Sequence, residues 1–169
     1  NYSFITSTIF ILFGYLILIN GFNFIDGLNG LMLGFAIIIL MHFLYYANQS
    51  PSELRFVIIL LILSILPLFI VNLTWGKILA GDGGSYFIGS IIGSISIYIA
   101  NAGILTSMHV ACVIFYPTME VIVSFLRRVF ISRKNPFLPD EFHIHIMLFK
   151  LLQKKIKKDY LLINLNSLL

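Results

Sequence analysis

The sequence predicts an all-α fold, a polytopic transmembrane helical bundle with about five complete spans and a partial sixth. Three observations predict it. Hydrophobic residues make up 59% of the 169 residues and charged residues only 11%, whereas soluble domains carry roughly 25% charged residues. Five apolar stretches reach or approach the roughly 18 to 20 residues that cross a bilayer. The lysines and arginines fall on alternate connections between those stretches, as the positive-inside rule requires.

In chain order the spans are expected at residues 2–19, 28–46, 56–73, 86–100 and 108–126. Pro67 in the third reads as a kink. The fourth is short, and Ser85, Gly89 and Gly93, at four-residue intervals, form a small-residue stripe that favours close helix contact inside a bundle. Trp75 ends the third run where an interfacial aromatic is expected. The piece at 160–169 is apolar but half a span long, and there is no initiating Met. The chain is therefore expected to be a single membrane domain, residues 1–169, forming the central and later part of a longer fold. Its one cysteine, Cys112, rules out an intramolecular disulfide framework and reads as a buried small apolar residue.

With the turn around residues 20–30 on the cytoplasmic side, the cytoplasmic loops fall at about 20–30, 72–85 and 127–158. Lys77, Arg127, Arg128, Arg133, Lys134, Lys150, Lys154, Lys155, Lys157 and Lys158 then lie inside, and Arg55 alone outside. His42 and His109 fall toward the outer side, as packing or interfacial residues. Three polar clusters converge on the inner face.

The first cluster is NGFNFIDGLNGL, with Asn20, Asn23, Asp26 and Asn29 between two apolar segments. Such groups are costly at a membrane boundary unless they bind something. Three-residue spacing on a helix makes Asn23 and Asp26 neighbours, and Gly27, Gly30 and Gly34 clear the way for a ligand or a partner helix. The second cluster, AGDGGS, sets Asp82 and Ser85 at the start of a helix whose free N–H groups favour anions. Asn23 with Asp82 would be a minimal oxygen set for Mg²⁺; an ordinary glycine turn with a capping acid is the alternative. Asn72 and Lys77 border this loop.

The third cluster is NPFLPDEFHIHI after Arg127, Arg128, Arg133 and Lys134. His143 and His145 share one side of an extended segment, and with the arginines they could hold a diphosphate; a headgroup-contacting surface is the alternative. Glu120, after Pro117, is an intramembrane acid and so a candidate for function or for an ion pair with Arg127 or Arg128.

Together the pieces NGFNFIDGLNGL, GDGGS and PTMEVIVSFLRR…NPFLPDEFHIH resemble, in order, spacing and membrane side, the polyprenyl-phosphate N-acetylhexosamine-1-phosphate transferases, relatives of phospho-MurNAc-pentapeptide transferase. The resemblance implies a Mg²⁺-dependent enzyme that moves a sugar 1-phosphate from a UDP-N-acetylhexosamine to polyprenyl (undecaprenyl) phosphate, releasing UMP. It implies a bacterial inner-membrane location with a cytoplasmic active face, the lipid bilayer as a partner, no nucleic acid, and a second copy of the chain as a candidate partner in a homodimer.

Carried over residue by residue, Asn23 and Asp82 are the expected Mg²⁺ ligands. Asp26, Asp82, His143 and His145 are the expected catalytic residues, and Asn20, Asn29, Arg128 and Arg133 the substrate-binding ones. Asn29 stands where bacterial members carry Asp, Ile146 where a further histidine is common, and the family's paired aspartates on an earlier loop are not in this sequence. An inactive homologue is therefore one rival reading. An ion-coupled transporter is the other, and it predicts acids at midspan and matched interrupted helices.

Overall fold

The computed structural model describes residues 2–47, 51–76, 78–132 and 147. Six helices follow one another: α1 (Tyr2–Phe24), α2 (Leu31–Tyr46), α3 (Ser52–Trp75), α4 (Gly81–Asn101), α5 (Ser107–Val113) and α6 (Phe115–Leu126), the last running into a π-helical stretch, Arg127–Ser132. No strand occurs among the described residues. Helices α1, α3 and α4 are long and apolar enough to cross a membrane. At 1.5 Å per residue, helices of this length cover the roughly 30 Å of a hydrocarbon core.

The expected all-α polytopic bundle is found, with three differences in the spans. The fourth, expected to be short, is a helix of 21 residues that begins at Gly81. The second is a helix of 16 residues, shorter than a perpendicular crossing requires. The fifth is a broken helix: α5 and α6 are long and apolar enough to cross a membrane only as a pair, bent by 70°. Ile114, at φ −93° and ψ 10°, interrupts the helical ladder, and Pro117 fits in the first turn of α6, where its missing N–H costs nothing. The partial sixth span at 160–169 lies outside the described residues.

Helix α4 is the centre. It packs on α1 along the small-residue stripe, where Ser85, Gly89 and Gly93 are buried. A Cβ on Gly89 would meet Phe22 and the Ile19 backbone at 3.1–3.3 Å, and one on Gly93 would meet the Tyr15 ring at 2.6 Å. Small residues therefore set how closely the two helices approach. The fully buried core runs through Phe22, Met32, Leu40, Phe43, Ile92 and Ile99.

Outward, α1 and α3 expose Phe4, Ile9, Phe10, Phe13, Phe56, Leu63 and Ile70. Apolar surface on that scale is at home against lipid tails. The protein is a multi-pass membrane protein. Trp75 is exposed and is the last residue of α3. Pro67 lies inside α3, which continues through it. Cys112, expected to be buried, is instead exposed on α5, whose buried residue is Val110.

Candidate functional site

Because α1 and α4 are antiparallel neighbours in close contact, the last turn of α1 faces the first turn of α4. Asn23 lies in the former, Asp82 and Ser85 in the latter. Asn23 Nδ2 donates to Asp82 Oδ1 at 2.8 Å and to Ser85 Oγ at 3.0 Å. Ser85 Oγ in turn donates to the Asp82 carbonyl at 3.2 Å. The two residues read as a pair from the sequence thus touch, although 59 positions separate them.

Asp26 reaches the same place by another route. Helix α1 ends at Phe24, so the expectation that Asn23 and Asp26 are neighbours on one helix is corrected: Asp26 belongs to the following turn. Its Oδ2 accepts the N–H of Gly81 at 2.9 Å, and Gly81 is the first residue of α4. A carboxylate thereby occupies a helix N-terminus, whose unpaired N–H groups and dipole favour negative charge. Burial nevertheless dominates and pushes the Asp26 carboxyl up to about 6; the N–H groups of Gly81 and Ala80 oppose the shift and the Asp82 charge adds to it.

Asn72 is the residue the sequence reading undervalued. Buried at 2% exposure in the last turn of α3, it accepts the N–H of Gly30 and donates to the Ile78 carbonyl. One side chain thus ties the α1–α2 turn, which carries Asp26 and Asn29, to the loop that leads into Asp82. Gly30 sits at φ 75° with Leu73 2.7 Å from where its Cβ would be, so a side chain there would be both strained and crowded. Asn29 Nδ2 is buried without a hydrogen-bond partner among the described residues. A donor left in that state is a place for a ligand acceptor.

Asn20 does not join the cluster. Its Nδ2 turns back to the Leu16 carbonyl at 2.8 Å, and it lines a cleft of about 560 Å³ between α1 and α6. The walls are apolar, from Phe13, Leu16 and Ile17 to Val121 and Ile122, while Asn20, Phe24 and Arg128 are also on its lining. Arg128 is buried at 8% exposure with its guanidinium 6.0 Å from the centre of the Phe24 ring. Glu120 is fully buried on α6 and accepts the Tyr116 hydroxyl at 3.3 Å. His143, His145, Arg133 and Lys77 lie outside the described residues.

Residues 1–100 match the sequence profile of glycosyl transferase family 4. The chain belongs to this family. Within the family it is similar to an undecaprenyl-phosphate alpha-N-acetylglucosaminyl 1-phosphate transferase of Thermotoga maritima, 28% identical over 76% of this chain and 38% of the relative. The protein of that name from Yersinia pestis is 31% identical over 78% of this chain and 38% of its own length. A phospho-N-acetylmuramoyl-pentapeptide-transferase of Dictyoglomus turgidum is 37% identical over 46% of this chain and 25% of the relative. The chain thus spans about two fifths of the length of the first two relatives. No solved structure matches it significantly. The family match covers α1 to α3 and all of α4 except its last residue, Asn101, and so includes Asn23, Asp26, Asn72 and Asp82.

Proposed function

We propose that this protein transfers a sugar 1-phosphate, of the N-acetylhexosamine class, from a UDP-sugar to undecaprenyl phosphate with release of UMP, at the cytoplasmic face of a bacterial inner membrane. The observation that carries the proposal is the convergence of Asn23 from the end of α1, Asp26 from the turn after it and Asp82 from the start of α4 on one helix N-terminus. Family membership supports it, as do the names of the relatives.

The donor set fits Mg²⁺. Mg²⁺ takes oxygen ligands, usually only one or two from the protein, and the Asp82 carboxylate and the Asn23 carboxamide, in contact across the α1–α4 seam, each carry one. Asn23 and Asp82 would hold the ion. Bound there, Mg²⁺ would neutralise charge on the diphosphate and on the departing UMP.

In the transfer a phosphate oxygen of the lipid attacks the β-phosphorus of the UDP-sugar, forming one P–O bond. The bond from that phosphorus to the bridging oxygen breaks, and its electron pair leaves with UMP. The chain's part is to position and to hold charge. The α1–α6 cleft offers the prenyl tail an apolar wall, and Asn20 and Arg128 on its lining suit a phosphate. Asn23 follows Asn20 by less than one helical turn, which brings acceptor and donor to the same end of α1. Asp26, titrating near 6, can take the acceptor phosphate's proton at neutral pH. Asn29 offers its free amide N–H to the nucleotide, and His143, His145 and Arg133 grip the diphosphate.

Purified protein supplied with UDP-N-acetylglucosamine and undecaprenyl phosphate should release UMP only with Mg²⁺, and Asp82→Ala should abolish the release. Full activity in that variant would remove Asp82 from the reaction.

A further inference from the structure

At the far end of the bundle from the Asn23–Asp82 cluster, two imidazoles meet. His42 stands near the C-terminal end of α2 and His109 in the first turn of α5, 67 positions later, and their Nε2 atoms are 2.9 Å apart. The ring centres lie 5.1 Å from each other with the planes at 54°. The Tyr46 ring rests against both, at 5.0 Å from His42 and 5.2 Å from His109. Each histidine is half-buried, so one side of the pair is open to water. The transfer reaction uses neither.

Two neutral imidazoles at this separation hold one N–H between them, donated by one Nε2 to the other. Moving that proton to Nδ1 of the donor ring leaves two Nε2 lone pairs side by side, with no net gain or loss of protons. We propose that His42 and His109 form a binding site for a divalent transition-metal ion of the Cu²⁺ or Ni²⁺ class, with water completing the coordination sphere.

The donor set selects the ion class. The two Nε2 atoms, 2.9 Å apart, are within reach of one ion; imidazole nitrogen suits Cu²⁺ and Ni²⁺, affinity along the first row peaks at Cu²⁺, and both ions accept two nitrogens with water oxygens in square-planar or tetragonal geometry. No third His, Cys, Asp or Glu joins the pair among the described residues, so a closed structural Zn²⁺ tetrahedron does not form from them.

The backbone of His109 is already held, because its N–H is donated to the capping Thr106 hydroxyl at 3.2 Å. The two ligands come from different helices, so an ion here clamps α5, the short arm of the bent pair, against α2. Protonation competes with the metal, and occupancy falls as pH drops through the imidazole range.

Electron paramagnetic resonance of the detergent-solubilised protein titrated with Cu²⁺ tests this. The expected result is one tetragonal Cu²⁺ per chain with coupling to two imidazole nitrogens. Affinity should fall at least tenfold in His42→Ala and in His109→Ala, and the signal should persist when the other two histidines are replaced, as His143→Ala with His145→Ala. Cu²⁺ should also raise the unfolding temperature of the wild-type protein. A wild-type spectrum without two-nitrogen coupling would overturn the proposal whatever the variants do, as would a copper signal lost only with His143 and His145.

Discussion

The two sides of α1 differ in what they do with space. Toward α4 the helix is closed: glycines and a serine bring the backbones together, and at the end of that seam Asn23, Asp82 and Ser85 bond to one another. Toward α6 it also packs closely, with Gly21 against the Pro117 carbonyl, but beside that contact it leaves a cleft of about 560 Å³. One helix thus fixes rigid polar chemistry on one side and keeps an apolar slot open on the other. The proposed transfer from a water-soluble donor to a lipid acceptor needs both, and α1 supplies them within one turn of each other. Residues on the closed side should govern turnover, and residues on the open side acceptor binding.

The sharpest break comes from Asn23→Ala, which removes the group that faces Asp82 across the closed seam. Turnover is expected to fall by roughly a hundredfold or more, the scale seen when one preorganised charge-stabilising group is lost. KM for the lipid acceptor should stay unchanged, and steady-state kinetics with both substrates varied separates the two constants.

Ile17→Trp fills the open side instead. The expected outcome is the reverse, a rise of about tenfold in KM for polyprenyl phosphate with kcat nearly intact. Loss of turnover in this variant would merge the two sides into one.

Packing gives a second contrast. A Cβ at Gly21 would fall 2.2 Å from the Pro117 carbonyl oxygen, a backbone atom that cannot swing aside, whereas one at Gly14 meets nothing within 4 Å. Gly21→Ala should therefore cost about 1–3 kcal/mol. Gly14→Ala should be neutral or stabilise by up to about 1 kcal/mol through helix propensity. Denaturant titration followed by circular dichroism in one detergent compares them. Asn72→Ala strands the Gly30 N–H and the Ile78 carbonyl and should cost a similar 1–3 kcal/mol, roughly the desolvation of the orphaned groups.

The smallest effect is the pH dependence of the site. Asp26 has its carboxyl raised from 3.8 to about 6 by burial, so between those values the folded protein keeps a proton that the unfolded chain has released. Its contribution to stability is greatest below that window, declines as pH rises through it and is level above. Asp26→Asn should flatten this slope in unfolding temperature measured against pH.

Much of this architecture is legible from local pattern. The four-residue spacing of Ser85, Gly89 and Gly93 places them on one helical face and needs no partner to be read. Asn23 and Asp82 stand out because polar groups are costly at the ends of apolar runs. What was hidden depends on long-range contact or on a local break. Helix α1 runs past residue 19, where the apolar span was expected to end, and stops at Phe24, so Asn23 stays on the helix while Asp26 reaches Gly81 from a turn. The α5–α6 break falls at Ile114, in an apolar run whose only signal, Pro117, is equally at home in a first helical turn. Asn72 looks like a bordering residue until Gly30, 42 positions away, supplies its partner. The pairing of His42 with His109 is of the same kind.

The central claim is that Asn23 and Asp82 act together as one cation site. Mn²⁺, a paramagnetic stand-in for Mg²⁺, can be titrated into the purified protein and followed by electron paramagnetic resonance. The account predicts a bound ion that Mg²⁺ displaces and that is lost in Asn23→Ala and in Asp82→Asn, with the double variant no weaker than either single one. Unchanged Mn²⁺ affinity in the single variants, or losses that simply add in the double, would contradict it.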